Sequence, residues 1–97
     1  MTTKPATYVV SISPQALQQL DDARAYIHAQ GAPLAAQRMA ARFATAIETL
    51  EQHPYRGRRV SRDIHELLIV QPYVIRYRIR PGAVEVMRIR HAAPRPR

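Results

Sequence analysis

Three arginines at alternate positions, Arg76, Arg78 and Arg80, interleave with Tyr73, Ile75, Tyr77 and Ile79. On an extended segment such spacing turns the arginines to one side, where guanidinium groups suit bidentate recognition of phosphate or carboxylate. Arg58 and Arg59 precede this row, and Arg88, Arg90 and His91 follow it. With no cysteine in the chain, a thiol nucleophile, a Cys-type zinc site and a disulfide framework are excluded. The acid–base candidates are His28, His53, His65 and His91. His65-Glu66 continues into Leu67, Leu68 and Ile69, so no H-E-x-x-H zinc motif forms, and neither a metal nor a cofactor is expected.

The charge behind these candidates is lopsided. Residues 1–52 carry Lys4, Arg24, Arg38 and Arg42 against Asp21, Asp22, Glu48 and Glu51. The second half carries eleven arginines against Asp63, Glu66 and Glu85, so the whole formal charge of +8 lies there. Such a field draws nucleic acid, a nucleic-acid machine or an acidic protein segment. Codon bias in a GC-rich genome accounts for arginine over lysine as readily as function does, but not for confinement to one half. In 97 residues there is room for one domain, 1–97, and an apolar fraction of 46% in periodic runs argues against disorder. Met1 to Pro5 has no apolar leader, and no apolar run nears the roughly 18 residues of a membrane span, so a soluble, cytoplasmic protein without a membrane partner is expected.

The elements that must position these residues follow from periodicity. Tyr8 to Ser13 reads as a strand with Tyr8, Val10 and Ile12 on one face. Ser13 caps a helix that Pro14 opens; Ala16, Leu20, Ala23 and Ile27 form its stripe and Gly31 ends it. After Pro33 a second helix buries Ala36, Met39, Ala40, Phe43, Ile47 and Leu50, turns Arg38, Arg42, Thr45 and Thr49 away, and stops at His53-Pro54. Pro54 to Arg59 reads as a loop, followed by strands over Ile64–Val70, Tyr73–Arg80 and Ala83–His91. The apolar parity of the last strand changes near Val86, which predicts a bulge or two-sided burial. From Ala92 the tail lacks an apolar anchor and is expected to be mobile. The order β-α-α-β-β-β gives an α+β domain with a helical hairpin on a largely antiparallel sheet.

Five strings on these elements are similar to toxins of the RelE/ParE superfamily, and the match spans nearly the whole chain. They are Ser13-Pro14-Gln15-Ala16, Ala25-Tyr26-Ile27, His53 to Arg58, Tyr73 to Ile79, and Val86 to His91. The resemblance implies the toxic half of a type II toxin–antitoxin pair. Its partner would be a cognate, ParD-like antitoxin, a ribbon-helix-helix protein whose flexible C-terminal segment wraps the toxin.

Two activities follow from that resemblance. A ParE-like toxin inhibits DNA gyrase without known catalysis; a RelE-like one cuts messenger RNA on the ribosome. Metal-independent RNA cleavage needs a base, an acid and cations around the phosphorane-like transition state. His91, with Arg58, Arg78 and Arg88, is the set available for it. Against catalysis, His91 and His65 read first as strand-end or solvated residues, His28 as surface, and His53 as a helix-terminal or loop residue. RelE-like nucleases typically also use lysines, or a dense set of acid–base residues, on the central strands, and the only lysine, Lys4, lies in the N-terminal arm. The ParE-like reading is therefore preferred, and enzymatic activity is not expected. Its target-binding residues are Arg58, Arg59, Arg76, Arg78, Arg80, Arg88, Arg90 and His91, expected to contact gyrase, its bound DNA or both. Arg88, between Met87 and Ile89, is equally placed to pair with Glu85 or Glu66. Tyr73 and Tyr77 are expected beneath the helices. A third reading is a non-toxic nucleic-acid-binding module, which cells would tolerate without an antitoxin.

Overall fold

The computed structural model describes residues 7–92, so the N-terminal arm and the tail expectation, apart from Ala92, lie outside the described residues. Strand β1 (Val9–Ile12) leads into helices α1 (Pro14–Ala29) and α2 (Pro33–Gln52). A single 3-10 turn (Pro54–Arg56) then precedes β2 (Arg58–Arg59), β3 (Ile64–Val70), β4 (Tyr73–Arg80) and β5 (Ala83–His91). The five strands form one sheet in the order β1-β5-β4-β3-β2, in which only the β1–β5 pair is parallel. The stretch read as a loop thus holds a 3-10 turn and a fifth strand. Two residues are too few to show alternation, which hid β2 from the periodicity.

Local chemistry explains the helices. Ser13 is the N-cap of α1: its side chain accepts from the Ala16 N–H at 3.0 Å. Gly31 at φ 83 reverses the chain after Gln30, a conformation other residues rarely adopt. Ala16 and Ala23 of α1 are buried, as are Ala36, Met39, Phe43, Ala46 and Leu50 of α2. Ala46 completes the α2 stripe that Ala40 and Ile47 only partly fill.

Both helices cover one face of the sheet, over Ile75, Tyr77 and Ile79 of β4 and Val84, Val86 and Ile89 of β5. The other face is left open. The parity change in β5 is a bulge at Met87: Tyr77 pairs with Val86, whereas Arg76 pairs with Arg88. Side chains at the start of the first helix serve the disturbed backbone. The Ser13 hydroxyl donates to the Met87 carbonyl at 2.8 Å, and the Gln19 side-chain oxygen accepts from the Ile89 N–H at 2.7 Å.

Tyr77 fixes the turn that carries β2. Fully buried, it donates its hydroxyl to the Pro54 carbonyl at 2.6 Å and accepts from the Gly57 N–H at 3.1 Å. Gly57 has an ordinary φ of −70. Its requirement is space: a Cβ there would collide with the Tyr77 hydroxyl and lie 2.5 Å from the Glu66 carbonyl oxygen. Among the described residues, no helix is long and apolar enough to cross a membrane.

Candidate functional site

Strand register decides which charged residues meet on the open face. Arg76 lies opposite Glu66 on one side and Arg88 on the other, Arg78 opposite Glu85, and Arg90 opposite Val74. Arg80 continues the β4 row, and Arg58 joins from β2 opposite Glu66. The face therefore carries Arg58, Arg76, Arg78, Arg80, Arg88 and Arg90, offset by Glu66 and Glu85.

Glu66 is the centre of this arrangement. One carboxylate oxygen, Oε2, accepts from Arg90 Nε at 2.7 Å and from Arg76 Nε at 3.0 Å, with Arg76 Nη2 at 2.8 Å. The other, Oε1, accepts from Arg58 Nη2 at 3.0 Å. The side chain is 5% exposed, and three guanidinium groups hold its two oxygens. Burial pushes its pKa upward; hydrogen bonds from Arg90 and Arg76 and their positive charges outweigh that, and the carboxyl is held below its ordinary range. Arg78 and Glu85 approach to only 3.9 Å with both side chains partly exposed, a pair worth little in water.

Several sequence expectations change here. Arg88 is exposed and forms no ion pair among the described residues, because Glu66 is taken by Arg58, Arg76 and Arg90, and Glu85 faces Arg78. Within the row expected to face a target, Arg76 and Arg78 already have carboxylate neighbours in Glu66 and Glu85. Arg59 lies opposite His65 rather than Glu66, and its Nε donates to the Ser61 carbonyl at 3.2 Å. Alternation turns it away from the face that Arg58 joins.

His91 is placed on the other side of the sheet. It is opposite Tyr73, their rings meeting edge-on at 5.3 Å, and both line a recess with Tyr26 and Ile27 of α1. The nuclease set of His91, Arg58, Arg78 and Arg88 is thus divided between two faces. His65, read as strand-end or solvated, is buried at 5% exposure between Tyr55 and Tyr77, with Nδ1 unpartnered among the described residues. Its position opposite Tyr77 forces it inward. His28 is exposed and His53 caps the C-terminus of α2, as expected. Tyr77 lies in the core and Tyr73 packs against it half-buried. Among the described residues, no group of three His, Asp or Glu is placed to hold a metal ion.

Residues 10–95 match the family described as the ParE toxin of the type II toxin–antitoxin system parDE. The chain belongs to the ParE toxin family. Within the wider RelE/ParE superfamily the toxin is 51% identical over 79 residues to Toxin RelE2 of Caulobacter vibrioides, covering 81% of this chain and 89% of that protein. It is 36% identical to Toxin RelE3 of the same organism, covering 89% of this chain and 96% of the relative. Among solved structures, a chromosomal ParDE system from P. aeruginosa superposes with a TM-score of 0.75 at 14% identity, over 91% of this chain and 99% of that one. The RelBE2 toxin–antitoxin complex from Mycobacterium tuberculosis gives 0.64 at 23% identity, over 94% and 98%. At those identities the superpositions speak for the fold alone: two helices on a five-stranded mixed sheet. Sequence reasoning missed Glu66 as the toxin's central carboxylate. The signal was a rare acidic residue on a strand of the arginine-rich half, but only the pairing of strands gathers the arginines around it.

Proposed function

We propose that the toxin inhibits DNA gyrase by binding, through the arginine face of its sheet. The observation that carries this reading is the chemistry of that face. Among the described residues its ionisable groups are arginines, which do not give up protons near neutral pH, and the two glutamates. A general base works best with a pKa near the operating pH, whereas Glu66 is held below its ordinary range amid three guanidinium groups. His91, the histidine nearest the β5 arginines in sequence, lies on the helix side. A surface of this kind supports recognition of an anionic partner better than proton transfer. Gyrase together with its bound DNA offers such a partner in the cytoplasm.

The messenger-RNA reading is favoured by one observation, that two relatives bear the name RelE. Single substitutions separate the two activities. His91→Ala is expected to leave growth arrest intact, while Arg78→Gln and Arg88→Gln weaken it. Loss of arrest in His91→Ala, with the fold retained, would favour the nuclease, and loss in Arg78→Gln and Arg88→Gln as well would place those arginines with His91 in its mechanism.

The partner that restrains the toxin is read as a cognate ParD-like antitoxin, in keeping with the toxin–antitoxin assemblies that share the fold. Co-expression with a small acidic ribbon-helix-helix protein encoded beside the toxin should restore growth. Normal growth when the toxin is expressed alone would instead support the non-toxic nucleic-acid-binding module.

A further inference from the structure

The hydrogen bonds of the Glu66 cluster leave a definite set of donors unspent. Arg90 uses Nε, so both of its terminal amino groups make no hydrogen bond among the described residues. Arg76 uses Nε and Nη2, leaving Nη1. Arg88 stands directly across from Arg76, exposed and without an ion pair among the described residues. Arg90 and Arg88 lie on the same side of β5, at a separation of about 6.7 Å along an extended strand. The inner edges of two guanidinium groups are thus tied to one carboxylate, beside a third arginine that is free of it.

We propose that Glu66 is a positioning residue that holds Arg76 and Arg90 as a preformed phosphate cradle, completed by Arg88, for the phosphodiester backbone of DNA. Tethering removes much of the rotamer entropy that long, flexible arginines otherwise lose when they bind an anion. The carboxylate cancels one charge and orders three side chains, and Arg58, Arg76, Arg88 and Arg90 together still outweigh it. Glu66 here acts through the arginines, not on the ligand.

The surroundings favour phosphodiester over an acidic peptide. A protein segment draws much of its affinity from apolar anchors seated in pockets. Three recesses among the described residues are lined by Tyr8 with His53 to Arg56, by Arg42 and Thr45 with Leu67 to Ile69, and by Tyr26 with Tyr73 and His91. None includes an arginine of the cradle. The exposed apolar side chains on the face, Leu68 and Val9, stand on strands at opposite sides of it. A strongly basic surface whose cradle arginines line none of these three recesses matches nucleic-acid interfaces, where backbone contacts position without reading sequence.

DNA as the ligand rests on the gyrase reading, but the test needs no gyrase. Binding of the full chain to a short DNA duplex is measured across a salt series, with an equally charged poly-glutamate peptide in parallel. Replacing Glu66 by Gln adds one unit of positive charge, so simple attraction would tighten binding. A positioning role has the opposite sign: Glu66→Gln is expected to weaken duplex binding several-fold. The Nε–H resonances of Arg76 and Arg90, distinct in the unaltered protein and shifted by duplex, should merge with those of solvated arginines. Arg88→Gln, which breaks no ion pair, should leave the thermal midpoint unchanged and reduce the slope of log affinity against log salt by about 0.9. Should Glu66→Gln fail to fold, Glu66→Asp keeps the charge while withdrawing the carboxylate, and it too should weaken binding. Equal or tighter binding by folded Glu66 variants overturns the positioning role, and preferential binding of poly-glutamate overturns the ligand class. If the duplex results hold while supercoiling is unaffected by the toxin, the gyrase reading fails and this inference stands.

Discussion

Glu66 is held by three guanidinium groups, and the consequence is a pH dependence with a fixed sign. A carboxyl whose folded pKa is depressed contributes stability above its unfolded value, and that contribution is lost as pH falls through the folded one. The difference in urea midpoint between the natural toxin and Glu66→Gln is therefore expected to shrink as pH drops below about 4.3, the ordinary glutamate value. A difference that stays constant from neutral pH to acid would contradict an ionised, arginine-bound Glu66. Tyr77 supplies a second residue-scale test. Tyr77→Phe leaves the Pro54 carbonyl and the Gly57 N–H without their partner and should cost about 1–3 kcal/mol in chemical denaturation. Gly57→Ala should destabilise by a similar amount through crowding, since its Cβ meets the Tyr77 hydroxyl and the Glu66 backbone. The arginine row was legible from alternation alone, because period-2 spacing states directly which residues share a face. The carboxylate that anchors it was not, since cross-strand neighbours are fixed by register, which a single sequence does not display.

Among elements, the junction of β1, α1 and β5 shows how a local signal carries a longer-range duty. Ser13 reads as a helix cap from its place before Pro14, and it is one. Its hydroxyl also serves the carbonyl of the bulged Met87, far along the chain, while Gln19 from the next turn serves Ile89. Ser13→Ala removes both roles at once and should cost about 1–2 kcal/mol, the upper part of the range for a lost cap. If thermal unfolding shows no loss, the bulge does not depend on this contact from α1. The parity change in β5 marked the bulge but not its effect. By inserting Met87, it keeps Val86 and Ile89 on the buried side and returns Arg88 and Arg90 to the open one. It also sends His91 to the helix side, against Tyr73, where uninterrupted alternation from Val84 would have placed it among the arginines.

At the scale of the whole molecule, the charge asymmetry becomes a division of labour between two layers. The helices and the buried side of the sheet hold the core, and the open side gathers arginines from the second half of the chain. The order of elements and the local strings sufficed to name the superfamily, because they report the fold that relatives share. They did not separate its two activities, which depend on where a few side chains meet. A surface that acts by charge should weaken with salt: inhibition by the purified toxin is expected to decline as ionic strength rises and the Debye length shrinks from about 10 Å at 0.1 M. The most direct test is a paired assay of the purified toxin, DNA supercoiling by gyrase beside cleavage of ribosome-bound messenger RNA, each with and without antitoxin. The expected result is antitoxin-reversible inhibition of supercoiling with the messenger RNA left intact. Cleavage of the messenger RNA with supercoiling unaffected would contradict it.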